Sequence, residues 1–139
     1  MFLLGYDLGS SSIKATLLEA ETGLVIASAT SPETDELDII AVKPGWAEQD
    51  PEVWWHHVKS ATAEIMAKVE IDRSQIDAIG ISYQMLGLVI VDKNYRVLRP
   101  AIIWCDSRAV DIGKHAFDRL GRVRCLRQFL NSPGNFTAS

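Results

Sequence analysis

Residues 5–14 read GYDLGSSSIK, and this stretch decides the fold. An acid closes one apolar run, a glycine and three serines follow, and a lysine stands at the start of the next run. Segments rich in β-forming residues are found at Phe2–Asp7, Ile13–Glu19 and Leu24–Thr30. Because turn-forming residues separate these segments, the pattern predicts a three-stranded antiparallel meander.

The first turn of this meander carries groups that suit a phosphate ligand. Glycine allows a close approach of the backbone, and hydroxyls and a cation can contact phosphate oxygens; the turn supplies them from Gly9, Ser10, Ser11, Ser12 and Lys14. Ionised Asp7 would hold Mg²⁺ directly or through a bound water. The order of a Walker P-loop is absent and the turn leads into a strand, so a hairpin with solvated serines is an equal alternative.

The next part of the chain predicts a long connection followed by a helix. From Ser31 to Asp50 the pattern breaks into proline, glycine and acidic residues, which is typical of a segment that is either mobile or functional. Asp50 and Pro51 then provide an N-cap and a first-turn proline. Apolar residues recur at helical spacing as far as Val69, so one face of this helix is expected to be buried.

The second half of the chain predicts further strands and helices. Expected elements are a buried strand at Ile76–Ser82, strands at Leu88–Val91 and Ile102–Trp104, a helix capped by Asp106 or Ser107 that ends at Leu120 before Gly121, and a short helix at Val123–Leu130. Residues 131–135 have the composition of a turn. The order β-β-β-α-β-β-α predicts an α/β fold with a mixed sheet.

Three other segments hold candidate ligand-binding residues, each with a structural alternative. Trp46 could stack on a sugar or simply pack its loop onto the helix. Gln84 follows a predicted strand, where α/β folds place ligands, but this segment also suits a plain turn with Met85 as core filler. Asp106 could face a substrate, pair with Arg108 or cap a helix.

Composition excludes several other classes of protein. The net charge of −4 arises from interspersed charges, so no basic surface for nucleic acid is expected. Cys105 and Cys125 lie far apart and outside any Cys/His cluster, which argues against a disulfide framework and against a zinc site. The N-terminal apolar run lacks a basic leader and soon meets an acid, so neither membrane association nor export is expected; a cytoplasmic location is predicted.

The four segments, in this order, resemble the FGGY carbohydrate kinases, which have the actin/Hsp70/sugar-kinase (ribonuclease H-like) fold. Residues 7–14 match the first phosphate hairpin of that family, and residues 44–51, which read PGWAEQDP, match its P-G-W-x-E-Q-D-P signature. Residues 79–85 and 98–108 look like the xylulokinase branch of the family. The resemblance implies an α/β fold in which residues 1–139 form the N-terminal portion of an incomplete first domain, without the second, nucleotide-binding domain.

The resemblance also implies a reaction and a set of roles. The γ-phosphoryl group of ATP would pass to a hydroxyl of a ketopentose, D-xylulose in particular, giving D-xylulose 5-phosphate. Asp7 would act through Mg²⁺ on the phosphates, and the sugar would be bound by Gln84, Met85, Leu86, Trp104 and Asp106. In this family the aspartate that accepts the hydroxyl proton comes from a later segment, so this chain alone is expected to be inactive.

Two departures from the family pattern keep other functions open. Position 86 is Leu, where xylulokinases usually carry His, so a sugar hydroxyl would lose a partner worth about 0.5 to 1.5 kcal/mol. Kinases of glycerol, ribulose or gluconate are therefore alternatives, as is a non-catalytic remnant that serves binding or assembly. The chain also ends early for a first domain, and the surface exposed in consequence allows a homodimer.

Overall fold

A computed structural model describes residues 1–128 and residue 130 of the chain. In chain order its elements are β1 (Phe2–Leu8), β2 (Ile13–Glu19), β3 (Leu24–Ser31), β4 (Glu48–Gln49), α1 (Pro51–Lys68), a 3₁₀ turn (Arg73–Gln75), β5 (Ile76–Tyr83), β6 (Ala101–Ile102), α2 (Val110–Leu120) and α3 (Arg122–Gln128). They fall into two compact units. The first comprises Met1–Asp38 with Asp50–Gln84, and the second comprises Ile39–Gln49 with the described residues from Met85 onward.

The first unit is built on a mixed four-stranded sheet in the order β3-β2-β1-β5. The strands β1, β2 and β3 form the predicted antiparallel meander, with Asp7 opposite Lys14 beside the first turn. Strand β5 pairs with β1 in parallel, so the carboxyl ends of both strands reach the same edge of the sheet. The predictions of the meander and of a mixed sheet are confirmed.

Helix α1 covers half of one face of this sheet. It begins where the sequence predicts, because the Asp50 carboxylate accepts a hydrogen bond from the N–H of Glu52 at 2.9 Å and Pro51 occupies the first turn. The apolar core beneath it is made of Leu4, Ala15, Leu17, Ala29, Ala61 and Ile65. The Tyr6 hydroxyl lies 2.6 Å from the Thr62 hydroxyl, so a hydrogen bond also joins β1 to the helix.

The prediction that residues 76–82 form a buried strand is right about the strand and wrong about its burial. Ile79 and Ile81 are 61% and 60% exposed. Helix α1 packs on β2 and β3 and leaves the β5 edge uncovered, so the side chains of β5 instead line an open groove of about 910 Å³. An apolar run shows that burial is favourable, but it does not show which element supplies the cover.

The second unit has very little regular sheet. Strand β4 pairs antiparallel with β6, and Leu88 forms a bridge on the other side of Ile102. The predicted strand at Leu88–Val91 is absent: only isolated bridges occur there, one from Leu88 to Ile102 and one from Val91 to Val97. The strand predicted at Ile102–Trp104 is shorter and earlier, because Trp104 already belongs to a turn.

The helices of the second unit begin differently from the prediction. Helix α2 starts at Val110 after Ala109, without a side-chain cap, so neither Asp106 nor Ser107 caps it. The Asp106 carboxylate instead accepts hydrogen bonds from the N–H and the guanidinium of Arg108 and from the N–H of Ala47. The end at Leu120 before Gly121 is confirmed, and α3 covers Arg122–Gln128. The turn predicted at residues 131–135 lies outside the described residues.

Among residues 1–128 and 130, no helix combines the length and the apolar character needed to cross a bilayer.

The difference in burial between α1 and β5 predicts a difference in stability. The substitution Ile65→Ala empties a site that is 1% exposed and should lower the free energy of unfolding by about 2–5 kcal/mol. The matched substitution Ile81→Ala, on the open groove, should cost less than about 1 kcal/mol. Urea denaturation followed by far-UV circular dichroism measures both. Equal losses would show that the β5 face is covered in solution.

Candidate functional site

The predicted phosphate turn lies between β1 and β2 in the first unit. The N–H of Gly9 donates to the carbonyl of Ser12 at 3.1 Å, which closes the turn over Ser10 and Ser11. A Cβ atom at position 9 would lie 3.0 Å from that carbonyl oxygen, so a larger residue would require the carbonyl to shift by a few tenths of an ångström. Glycine fits this turn without such a shift.

The structure brings the predicted phosphate residues together at one edge of the sheet. Asp7 and Lys14 are exposed and face each other across the β1–β2 pair, directly before and after the turn. The connection that follows β3 also stabilises the turn, because the N–H of Leu37 donates to the carbonyl of Ser11 at 2.8 Å. An acid, a cation and a set of hydroxyls thus share one small, solvent-accessible edge.

Gln84 lies at the same edge of the first unit. Its N–H donates to the carbonyl of Leu8 at 2.9 Å, immediately before the glycine of the phosphate turn. This contact follows from the parallel pairing of β1 and β5, which ends with Leu8 beside Tyr83. The first predicted sugar-binding residue is therefore adjacent to the predicted phosphate turn.

The ligands available at this edge suit a magnesium ion that stays largely hydrated. Within the described part of the chain, no three His, Cys, Asp or Glu side chains cluster as a metal site would require. Asp7 offers a carboxylate beside the turn. One carboxylate is enough for Mg²⁺ that keeps most of its water and binds phosphate oxygens, which is its common state in phosphoryl-transfer sites.

The second unit contains a cluster of buried charges. The Glu48 carboxylate is 2.6 Å from the Arg108 guanidinium and also pairs with Arg99. Arg108 reaches the Asp106 carboxylate through Nε and Nη2 at 2.8–3.0 Å. The side chains of Glu48 and Asp106 are 6% and 0% exposed. Their negative charges are therefore compensated mainly by the arginines that contact them and not by water.

This geometry sets the protonation states within the cluster. Burial by itself would raise the pKa of Asp106, but the hydrogen bonds from Arg108 and from the Ala47 N–H outweigh it and hold that pKa below its ordinary value. The hydrogen bonds that Arg108 donates to Asp106 raise the pKa of Arg108 despite its burial. Both groups therefore stay ionised at neutral pH.

Trp46 belongs to the same cluster through its ring. The Arg108 guanidinium carbon lies 3.8 Å from the ring centroid, and Lys43 Nζ lies 4.7 Å from it. Gly45, next to Trp46, accepts hydrogen bonds from the Ser107 N–H at 2.7 Å and from its hydroxyl at 2.9 Å. A Cβ at position 45 would collide with that hydroxyl, and its φ of +78° suits glycine. Trp46 is thus engaged in holding residues 43–49 to residues 101–108.

The remaining predicted sugar residues also lie in the second unit. Met85 and Leu86 are exposed and precede Leu88, which bridges to Ile102 in β6. Trp104 is 53% exposed and follows the same strand by two residues. Strand β6 therefore holds both groups, although Asp106 directs its two carboxylate oxygens to protein donors. Direct sugar contact by Asp106 stays a prediction.

Leu86 has a strained backbone. Its φ of +61° lies in the left-handed region, which costs a non-glycine residue about 1–2 kcal/mol. Strain of this kind persists only where the surrounding structure imposes it, and such positions are enriched at ligand sites. Histidine is among the residues found in this region more often than Leu.

Sequence reasoning missed the roles of Glu48 and Arg99. Glu48 falls between Ala47 and Gln49 in a fully buried stretch, and a lone acid there needs a cationic partner from elsewhere in the chain. Arg99 lies outside the predicted helices and strands and so has no acid at helical pairing distance, which is the available signal. The spacing alone does not show that both arginines share one carboxylate.

Comparison with known proteins gives a consistent result. Residues 2–130 match the N-terminal domain of the FGGY family of carbohydrate kinases. The xylulose kinase of Klebsiella pneumoniae is 38% identical over 135 residues, which are 97% of this chain and 26% of that protein. A glycerol kinase of Clostridium perfringens is 31% identical over 128 residues, 91% of this chain and 25% of that protein.

A solved structure shows the same architecture. The crystal structure of a xyloylose kinase from Brucella ovis superposes with a TM-score of 0.80 at 34% identity, covering 91% of this chain and 25% of that one. The chain thus spans about a quarter of the length of the relatives it matches.

The strain at Leu86 predicts that glycine is more stabilising than alanine at this position, which is the reverse of the usual order. The variants Leu86→Gly and Leu86→Ala lose the same exposed side chain, but only glycine relieves the positive φ, so Leu86→Gly should be more stable by about 1 kcal/mol. At Val89, which has no positive φ, the glycine variant should instead be the less stable by about 0.5–1 kcal/mol. Urea denaturation gives all four values. The same order at both positions would contradict a left-handed Leu86.

Proposed function

Because this chain belongs to the FGGY family of carbohydrate kinases, we propose that it forms the sugar-binding and phosphate-positioning part of an ATP-dependent sugar kinase. The proposed acceptor is a ketopentose, D-xylulose in particular, and the proposed products are D-xylulose 5-phosphate and ADP. The backbone hydrogen bond from the Gln84 N–H to the Leu8 carbonyl carries this proposal, because it brings the proposed polyol-binding residue next to the proposed phosphate turn.

The phosphate turn would position the donor. The γ-phosphoryl group carries spread negative charge during transfer, and catalysis consists mostly of positioning and neutralising that charge. Gly9, Ser10, Ser11, Ser12 and Lys14 would donate to phosphate oxygens. Magnesium, when bound, would neutralise charge on the phosphates, and Asp7 would hold it through oxygen or through its waters.

The sugar would be bound by residues that follow the β5 edge and β6. Gln84 can donate to and accept from hydroxyl groups, and Met85, Leu86 and Trp104 offer apolar surface to the C–H groups of a sugar. Asp106, which the resemblance also assigns to the sugar site, has both carboxylate oxygens on protein donors. The substrate hydroxyl oxygen forms the new bond to phosphorus as the bond to the ADP oxygen breaks, and an aspartate outside residues 1–139 is the proposed acceptor of the hydroxyl proton.

One observation favours a second function. Leu86 offers no polar group where the xylulokinase pattern has His, yet its backbone keeps the left-handed conformation. A lobe that has lost its sugar chemistry could persist as a binding or assembly module. Such a module would keep the fold and the buried charge cluster but would not support phosphorylation.

A chimera tests the proposed function. Residues 2–130 of this chain replace the matching segment of the Klebsiella pneumoniae xylulose kinase, and coupled ADP release is followed with D-xylulose, D-ribulose, glycerol and gluconate. We expect turnover, with D-xylulose the best acceptor. Asp7→Asn should lower kcat by about a hundredfold or more, whereas the control Asp35→Asn, an exposed acid of the same unit, should leave kcat unchanged.

The outcomes separate the two functions. A folded chimera that releases no ADP with any acceptor contradicts a competent kinase lobe. If Leu86→His then restores turnover, the lobe is a kinase part with an altered sugar pocket. If Leu86→His is also inactive, the binding or assembly module is supported.

A further inference from the structure

Trp104 lies in a tight turn at the end of β6. The N–H of Asp106 donates to the carbonyl of Ile103 at 3.0 Å, so Trp104 and Cys105 are the two central residues of the turn. Both central side chains are exposed, while Ile103 and Asp106 are buried. The turn therefore presents Trp104 outward from two buried ends.

Both ends of this turn are anchored to one residue, Ala47. The N–H of Ile103 donates to the carbonyl of Ala47 at 3.1 Å. The N–H of Ala47 donates in the opposite direction to Oδ2 of Asp106 at 2.7 Å. The first anchor is backbone to backbone and tolerates any residue, whereas the second depends on the side chain of Asp106.

Asp106 is itself held in place by Arg108. Its Oδ1 accepts from the Arg108 N–H at 2.8 Å and from Arg108 Nε at 2.9 Å, and Oδ2 accepts from Arg108 Nη2 at 2.8 Å. Glu48 and the Trp46 ring fix the guanidinium in turn. With its side chain 0% exposed and both oxygens occupied, Asp106 offers no free acceptor to a ligand in this conformation.

We propose that Asp106 is a positioning residue for the sugar site, which orients Trp104 through the turn and does not contact the sugar. Arg108 and Glu48 act with it, because they fix the carboxylate that anchors the turn. The identity of the ligand as a sugar rests on the proposed function, but the mechanical link from Asp106 to Trp104 does not. The affinity for the sugar thus depends on a buried charge that the sugar never reaches.

The substitution Asp106→Asn tests this link with little change of shape. An amide has one acceptor oxygen, so its NH₂ group faces Arg108 donors in either orientation and weakens the hold of Arg108 on residue 106. When the NH₂ group takes the place of Oδ2, the Ala47 N–H loses its acceptor as well. The control is Asp111→Asn, which removes the same charge in the same unit from a side chain that is 86% exposed. Arg108→Lys is a second variant, which keeps the charge but loses the paired hydrogen bonds.

The first readout is the mobility of Trp104 in the 139-residue chain, measured as the ¹⁵N–¹H heteronuclear NOE of its indole N–H. We expect Asp106→Asn to lower the NOE of Trp104 and to leave those of Trp54 and Trp55, in α1, unchanged. Arg108→Lys should act in the same direction, and Asp111→Asn should change none of them. This readout needs no activity, so it stands even if the proposed function fails.

The second readout is kinetic, in the chimera described above. Asp106→Asn should raise the KM for the sugar about tenfold and leave the KM for ATP within about twofold, because only Trp104, on the sugar side of the site, is displaced. An unchanged Trp104 NOE in a folded Asp106→Asn chain would overturn the proposal, and a raised sugar KM together with that result would indicate direct contact. If Asp106→Asn does not fold, Arg108→Lys decides by the same criteria. A wild-type chimera without turnover would instead count against the proposed function.

Discussion

The ion cluster of Glu48, Asp106 and Arg108 is the interaction on which the second unit depends. Strands β4 and β6 contain two residues each, so backbone ladders contribute few hydrogen bonds to this unit. In addition to these backbone bonds, charged side chains join the segments 43–49 and 101–108. Removing such charges from water is costly unless opposite charges compensate one another. Arginine suits this role because its planar guanidinium can bind two carboxylates and stack on Trp46 at once.

Much of the first unit could be predicted from the sequence because its signals are local. The alternation of apolar residues gives the meander, and Asp50 with Pro51 marks the start of α1, since caps and turns depend on neighbours in the chain. The burial of β5 could not be predicted in the same way. Its apolar run is real, but cover depends on where α1 packs, and that is a tertiary property.

The candidate site shows the same division. The predicted phosphate turn is a contiguous motif, so Asp7, Gly9 and Lys14 can be proposed from the order of residues alone, and the fold brings these residues together. The sequence allows Asp106 to cap a helix or to meet a substrate, and the capping prediction is wrong because Ala47 and Arg108 take both of its oxygens. Pairings over about 50 residues of sequence, such as Glu48 with Arg99, leave no periodic signal.

The coupling energy between Glu48 and Arg108 tests the central claim most directly. A double-mutant cycle with Glu48→Gln and Arg108→Gln, followed by urea denaturation, isolates the pair from their other contacts. The account predicts a coupling of about 1.5 kcal/mol or more, against about 0.3–0.5 kcal/mol for the exposed pair of Lys68 and Glu64 in α1. A coupling no larger than that of the exposed pair would show that the buried cluster does not hold the second unit together.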